Sequence, residues 1–299
     1  MTAIAFFGAI ETGLLYGFLS LGVYLSFRVL DFPDLTVDGS FPLGAAVAGT
    51  LIVAGVNPFV ATGIAVLAGC AAGFCTAFLS VRFGILNLLA SILTMIALYS
   101  INLRIMGKPN LSLLNQSTVL TPFESWLGIL PKLIVMPLVL LLGVGIAKLL
   151  VDAFLTSQLG LAMRATGMNA TMAQAQGIET DRLILLGMAI SNGLAALSGA
   201  LFAQLYGFAD VTLGVGTVVV GLATVILGEA LLPSGSVILA TLAVIAGSVI
   251  YRVAIAIALN ADFLGFQAQD LNLVTAILVV LALTIPKARF VRRFRQKQS

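Results

Sequence analysis

Histidine is missing from this chain of 299 residues, which has two cysteines and few charges, since only 9% of its residues are Asp, Glu, Lys or Arg. Histidine is the usual acid–base group near neutral pH and a frequent ligand of zinc and haem, so most chemistry of those kinds is excluded. Cys70 and Cys75 share one apolar run and would face different directions on a helix. We therefore expect them to be packing residues, and we expect no metal site.

The shortage of charge determines the class of protein. A typical soluble domain has roughly 25% charged residues, whereas this chain is 60% hydrophobic and cannot cover itself with a polar surface. We therefore expect it to be embedded in lipid. Runs such as "LIVMPLVLLLGVGIAKLLV" (133–151) suit a membrane-crossing helix and lack the alternation of a membrane β-barrel. The sequence predicts an all-α, polytopic transmembrane helical bundle that forms a single domain over residues 1–299.

The apolar segments give an expectation of about eight to ten spans. Segment 41–56 is short and flanked by Pro42 and Pro58. We expect it to be a broken or half helix that is buried in protein or lines a cavity, because lipid cannot satisfy bare backbone groups. The predicted segments are 3–27, 41–56, 58–81, 85–106, 129–151, 183–206, 211–232, 236–259 and 270–286.

Basic residues indicate the orientation. The tail 287–299 carries six of the fifteen lysines and arginines, and basic segments stay on the cytoplasmic side of a membrane. The C-terminus is therefore predicted to be cytoplasmic. Counting back through the segments places 152–182 inside and 107–128 outside. The side of the N-terminus depends on whether 41–56 crosses.

Two stretches of the chain resemble each other. "FPDLTVDGSFPLGAAVAG" (32–49) and "FADVTLGVGTVVVGLATV" (208–225) both read Phe–x–Asp–apolar–Thr–apolar, followed by glycines and small residues. The predicted topology puts them at opposite sides of the membrane. This pattern is typical of the inverted repeats of transporters, whose pathways lie near the bilayer midplane.

The segment 155–183 is too polar to span a bilayer. Asn169 is a good N-cap, so 170–176 are predicted to form two turns of helix that end at Gly177, after a helical stretch near 158–165 that Gly167 interrupts. Exposed Met168 and Met172 would suit a helix-in-groove contact with a cytosolic protein. The alternative is an interfacial helix that lies on the lipid headgroups.

Ionisable groups at membrane depth are costly and indicate function. Asp31, Asp34 and Asp38 have three interpretations: they cap the helix that begins near Phe41, they bind a substrate ammonium, or they are solvated loop charges paired with Arg28. For capping, the candidates are Asp38 and Ser40. A polar stripe on segment 85–106 must also face protein or water. The candidates for the substrate pathway are Asp34, Thr36, Asp38, Ser40, Asn87, Ser91, Thr94, Asp210 and Thr212.

The polar loop also carries a resemblance to a known family. "RATGMNATMAQAQGI" (164–178) resembles the cytoplasmic EAA-type loop of ATP-binding-cassette importer permeases, in the version of the branched-chain amino acid permeases. "GTVVVGLATVILGEAL" (216–231) is similar to the glycine-rich segment of that family. "FRVLDFPDLTVDGSFPLGAAVAG" (27–49) resembles a subgroup associated with tryptophan and tyrosine. The Leu–Pro that closes the EAA loop elsewhere is missing after Ile178.

The resemblance implies a membrane subunit that works with partners. These are a second permease copy, making a homodimer, two cytosolic ATPase subunits that bind ATP and Mg, and an extracytoplasmic substrate-binding protein, in a bacterial plasma membrane. No nucleic acid is expected. The chain itself has no P-loop, because its Gly107–Lys108 pair has Asn102 and Pro109 where that motif needs Gly and Ser or Thr. It is therefore not expected to be an enzyme or to bind a cofactor. The residues implied to couple to the ATPase are Arg164, Ala165, Gly167, Met168, Asn169, Met172, Ala173, Gly177 and Ile178.

The resulting prediction is an importer permease for amino acids, aromatic or branched-chain, or similar small solutes. The alternative is a secondary transporter driven by H⁺ or Na⁺, which needs an essential buried carboxylate at the midplane. A membrane enzyme is a further alternative, but the sequence shows no cluster of His, Asp or Ser groups at one depth.

Overall fold

The computed structural model describes residues 3–126, 132–233 and 235–259, together with residues 276 and 280. These residues are helical almost throughout. Two three-residue strands, β1 (Asn110–Ser112) and β2 (Phe208–Asp210), pair antiparallel. The helices are α1 (Ala3–Val23), continued by a π-helical segment (Tyr24–Val29), α2 (Val37–Val53), α3 (Pro58–Phe83), α4 (Asn87–Met106), α5 (Thr121–Trp126), α6 (Lys132–Thr156), α7 (Gln158–Met168), α8 (Ala170–Ala175), α9 (Thr180–Tyr206), a 3₁₀ segment (Val211–Gly214), α10 (Thr217–Leu231) and α11 (Val237–Leu259).

Seven helical stretches in the described part of the chain are long and apolar enough to cross a membrane. They confirm the predicted polytopic helical bundle. The predicted segment 270–286 lies largely, and the tail 287–299 entirely, outside the described residues. The seven stretches are Ile4–Val29, Pro58–Phe83, Asn87–Met106, Val135–Thr156, Thr180–Tyr206, Val211–Leu231 and Val237–Ala258.

Helix α2 is the short interior helix that the prolines suggested. Its 17 residues are mostly buried, and at 1.5 Å per residue they extend about 26 Å, less than a bilayer core. The helix begins at Val37, so the expected start near Phe41 was wrong and Pro42 lies inside the helix. The early start places Asp38 in the first turn, where its backbone closely approaches Gly214.

Helices α1 and α9 run antiparallel through the middle of the bundle. The hydroxyls of Thr12 and Tyr206 are hydrogen-bonded at 2.6 Å. Ser198 donates to the carbonyl of Leu15 at 2.8 Å, and Ser191 donates to that of Gly22 at 2.8 Å. From the first of these pairs to the last, the residue number rises on α1 and falls on α9, so the two helices are antiparallel. Each of these helices precedes one copy of the repeated sequence, so the two copies are inverted relative to each other.

Two further antiparallel pairs repeat this arrangement. Helix α1 packs on α11, and α9 packs on α3, through small residues that bring the backbones together. A Cβ on Gly13 of α1 would lie 2.7 Å from the Cα of Val249 on α11. A Cβ on Gly73 of α3 would lie 2.1 Å from the carbonyl oxygen of Met188 on α9. We count α1–α3 as one repeat and α9–α11 as the other. The first helix of each repeat thus packs on the third helix of the other repeat.

The close approach at Gly73 predicts a sensitive position. Gly73→Ala forces a methyl group against the α9 backbone, and overpacking of this kind costs about 1–3 kcal/mol. We expect a clear fall in the Tm measured in detergent micelles. Gly63→Ala is the matched control, because it lies in the same helix and an added Cβ meets nothing within 4 Å. Equal Tm values for the two variants would contradict this packing.

Candidate functional site

The repeated sequence forms the same local structure twice. The Oδ1 of Asp34 accepts a hydrogen bond from the backbone N–H of Thr36 at 2.8 Å. The Oδ1 of Asp210 accepts from the N–H of Thr212 at 2.7 Å and from its hydroxyl at 2.6 Å. Each aspartate therefore organises the turn that leads into an interior helical segment, α2 in one repeat and the 3₁₀ segment before α10 in the other.

The two aspartates differ in their surroundings. Asp210 lies at the end of β2, opposite Asn110 of β1, whose side chain donates to its Oδ2 at 3.2 Å. Partial burial raises the pKa of Asp210, but the hydrogen bonds from Thr212 and Asn110 outweigh it and hold that pKa below its ordinary value. Asp210 is therefore a charged group at the surface of the bundle.

Asp34 is completely buried. Its Oδ2 accepts from the side-chain amide of Asn192 at 2.7 Å, and Asn192 in turn accepts from the hydroxyl of Ser40 at 2.7 Å. The hydroxyl of Thr36 lies 2.7 Å from that of Thr76 on α3. This network joins α2, α3 and α9, so the interpretation of Asp34 as a solvated loop charge is wrong.

Asp38 caps a helix of the opposite repeat. Its Oδ1 accepts from the N–H of Val218 at 2.7 Å and from the hydroxyl of Thr217 at 2.9 Å, and its Oδ2 accepts from the N–H of Gly216 at 3.1 Å. Our expectation that Asp38 or Ser40 caps its own helix was therefore wrong. The carboxylate instead occupies the positive N-terminus of α10, and it fixes the starts of α2 and α10 beside each other.

A cavity of about 360 Å³ adjoins this junction, between α2, α4 and the 3₁₀ segment. Asp38 forms part of its wall. Asn102 of α4 is also in the wall. Its side-chain amide donates to the carbonyl of Gly39 at 3.2 Å, while its Oδ1 is buried without a hydrogen-bond partner among the described residues. Buried polar atoms normally have a partner. The remaining wall is apolar, aromatic or hydroxylic: Pro42, Met95, Ile96, Tyr99, Ser100, Val211 and Val215.

The structure does not gather the other pathway candidates around this cavity. Asn87 accepts from Ser80 where α4 begins. The hydroxyls of Ser91 and Thr94 donate to carbonyls of their own helix, and Thr94 lines a separate, largely apolar cavity of about 440 Å³. Sequence reasoning did not select Tyr99 or Asn192. Asn192 was detectable as an amide inside an apolar span, whereas nothing in the sequence distinguishes Tyr99.

The polar loop forms two short helices outside the spans. Asn169 caps α8 as predicted, because its side chain accepts from the N–H of Met172 at 3.0 Å. Gly177 ends the turn with a positive φ of 82°. Met168 and Met172 are exposed by 89% and 61%, respectively, whereas Ala173 is buried. The loop therefore presents two methionines on an ordered scaffold.

Gly167 does not break the chain as expected. It lies inside α7, which continues to Met168, and the break comes at Asn169. A Cβ on Gly167 would lie 1.9 Å from the carbonyl oxygen of Val29. Glycine is needed here because α7 packs directly on the π-helical segment. Of the remaining loop candidates, Arg164, Ala165 and Ile178 are half-buried.

In the described part of the chain, no three His, Cys, Asp or Glu side chains are grouped closely enough to hold a metal ion. The carboxylates near the junction instead bond to hydroxyl, amide and backbone donors. The arrangement is suited to holding helix ends and to contacting a polar solute.

Known proteins resemble this chain over nearly its whole length. Residues 5–285 match the family described as the permease component of branched-chain amino acid transport systems. A tyrosine transport system permease protein of Clostridioides difficile (strain R20291) is 40% identical over 295 residues, which cover 95% of each chain. The uncharacterized protein RP368 of Rickettsia prowazekii (strain Madrid E) is 35% identical over 285 residues, covering 93% of this chain and 96% of that protein. No solved structure matches.

The role of Asp38 can be tested by Asp38→Asn. The new amide group would replace an acceptor of the N–H groups at the start of α10, which leaves a half-buried donor unsatisfied at a cost of up to about 1–3 kcal/mol. We expect a lower Tm in detergent micelles. Asp181→Asn changes an exposed carboxylate in the first turn of α9 and serves as the control. A Tm that falls equally in both variants would contradict a specific cap.

Proposed function

Because the chain belongs to the permease family of branched-chain amino acid transport systems, we propose that it is the membrane-spanning subunit of an ATP-driven importer of amino acids. The relative named for tyrosine favours an aromatic substrate. The observation that carries the proposal is the ordered α7–α8 loop, which presents Met168 and Met172 outside an otherwise apolar bundle. Unbranched methionines adapt to a partner's groove, as a docking surface requires.

Movement of the α7–α8 loop can be transmitted to the helices that cross the membrane. An ATPase that moves α8 also moves α7, which contacts the π-helical segment at Gly167 and Val29. That segment continues α1, and α1 packs on α9 and α11. Motion at the loop therefore reaches the first helix of each repeat. Rigid-body movement of one repeat against the other is a common way to alternate access.

The partners follow from this mechanism. Two cytosolic ATPase subunits would bind the ATP and Mg and drive the cycle, and an extracytoplasmic binding protein would deliver the solute. We place the α7–α8 loop and the C-terminus in the cytoplasm of a bacterial cell, because the basic tail favours that side. The β1–β2 end then faces the binding protein.

The cavity beside Asp38 is our proposed stretch of the substrate pathway. Asp38 and Asn102 supply polar side chains to its wall, and Tyr99 and Met95 offer an apolar surface to a substrate side chain. Helix α4 has a largely exposed face, with Ile96 59% and Tyr99 54% exposed. We propose that a second copy of the chain packs against this side, so that the pathway lies between two permeases.

The alternative is a secondary transporter, which needs a buried carboxylate free to exchange a proton or bind an ion. Asp38 accepts three hydrogen bonds, and Asp34 accepts from Thr36 and Asn192. Carboxylates with this many donors are already committed to holding helices together. This observation favours a chain powered by a partner over one that couples to an ion itself.

Docking on the loop can be tested by Met172→Glu. A charge placed in an apolar docking contact is costly, so we expect on the order of tenfold less ATPase to co-purify with the permease. Leu114→Glu is the matched control, because Leu114 is 73% exposed and lies beyond β1, at the opposite end of the bundle. Undiminished ATPase association in the Met172 variant would contradict the proposal. Gly167→Asp is less informative, because it also disrupts the contact with Val29.

The pathway can be tested by Ser100→Trp, which fills the cavity beside Asp38. We expect transport into proteoliposomes to fall on the order of tenfold while the ATPase still co-purifies. Leu149→Trp is the control, because it places the same side chain at an exposed position of α6, a helix that does not line this cavity. Normal transport by the Ser100 variant would exclude this cavity from the pathway.

A further inference from the structure

A third cavity, which is polar and has a volume of about 460 Å³, lies between α7 and the π-helical segment. It is separate from the cavity beside Asp38, and its lining differs in kind. Arg28, Asp31 and Arg164 supply charged groups, and Tyr24, Phe27 and Met168 supply apolar surface. A volume of this size falls in the usual range of small-molecule sites.

The wall of this cavity has two unusual backbone conformations. Tyr24–Val29 is a π-helix, a rare conformation that is frequent at functional sites. Asp31, two residues later, has a φ of 53°. A positive φ is uncommon for a residue other than glycine and costs free energy. The chain from Tyr24 to Asp31 therefore adopts a backbone conformation that costs free energy, at the place where it faces α7.

The charges at the cavity form a distinctive set. Arg28 is paired, because its Nε lies 2.6 Å from the Oε1 of Glu229. Arg164 is half-buried, and Asp31 is exposed. Neither forms an ion pair with another described residue. Among the described residues, Arg164 and Asp31 are therefore a cation and an anion without an ion-pair partner, and together they complement a zwitterion.

From these features we infer that the cavity binds a free amino acid, with its carboxylate on Arg164, its ammonium on Asp31 and an aromatic or apolar side chain against Tyr24 and Phe27. The inference rests on the proposed function, since the transported amino acid would accumulate on this side of the membrane. A ligand bound here lies between the α7–α8 loop and the π-helical segment that continues α1. It favours conformations in which the cavity is open, and it opposes any relative movement of α7 and the π-helical segment that narrows the cavity. The imported solute therefore inhibits its own uptake from the cytoplasmic side.

Direct binding tests the inference. Labelled L-tyrosine is added to the full-length permease in nanodiscs of zwitterionic lipid, without the binding protein. We expect saturable binding that weakens at least about tenfold in Arg164→Gln. Arg182→Gln is the control, because Arg182 is exposed in the first turn of α9, next to the same loop, and pairs only with Glu179 among the described residues. Equal binding by the wild type and the Arg164 variant would overturn the inference.

Analogues separate the two charge contacts. Tyramine lacks the carboxylate and N-acetyl-L-tyrosine lacks the ammonium, so both should bind the wild type weakly. In Asp31→Asn, which keeps a residue that tolerates a positive φ, the preference for L-tyrosine over N-acetyl-L-tyrosine should disappear. A preference that persists in this variant would overturn the placement of the ammonium.

The remaining outcomes identify other sites. Binding that Ser100→Trp abolishes and Arg164→Gln spares would locate tyrosine in the pathway cavity and overturn the inference. Arg164-dependent binding of a short-chain phosphatidylglycerol, without tyrosine binding, would show a lipid headgroup site instead. Co-purification of the ATPase is measured in the same preparations. If the wild type binds no tyrosine but still associates with the ATPase, this inference alone is refuted, whereas failure of the wild type to associate with the ATPase refutes the proposed function.

Discussion

The structure depends on hydrogen-bond acceptors for the backbone N–H groups at the starts of two helices that begin inside the bundle. Lipid provides no partner for exposed N–H groups, so α2 and α10 need acceptors supplied by the chain. Asp34 accepts from the N–H of Thr36 just before α2, and Asp38 caps α10 from across the repeat. Because a carboxylate of one repeat holds the helix of the other, the two halves of the molecule meet at a fixed point. The cavity beside Asp38 lies at this point.

Around that junction, the inverted repeat explains how a loop can act at a distance. Antiparallel pairing of α1 with α9 and of α3 with α9 brings helices close enough that their glycines contact backbone atoms. Such interfaces resist gradual deformation, so movement passes between packed helices as a unit. The contact of Gly167 with Val29 connects the exposed loop to this system. The polar cavity lies on the same connection, which is why a bound solute there would regulate the transporter.

Features that depend on residues close together in the chain could be predicted from the sequence, whereas contacts between residues far apart in the chain could not. The spans, the Asn169 cap, the Gly177 stop and the repeated Asp–x–Thr turns depend on neighbouring residues, and each appears in the structure. The cap that Asp38 provides joins residues about 180 positions apart, and a capping motif cannot reveal that distance. Gly167 looked like a helix breaker because helix propensity disfavours glycine, but its small size is needed for tertiary contact. Tyr99 gained significance only from the cavity.

The central claim is that Asp38 holds α10 directly, and a double-mutant cycle with Thr217 tests it. Thr217→Val removes the hydroxyl that lies 2.9 Å from the Asp38 carboxylate and keeps the shape of the side chain. Unfolding of the wild type, Asp38→Asn, Thr217→Val and the double variant is measured in the same micelles. The account predicts a coupling energy of about 0.5–3 kcal/mol between the two positions. Additive effects of the two substitutions would contradict it.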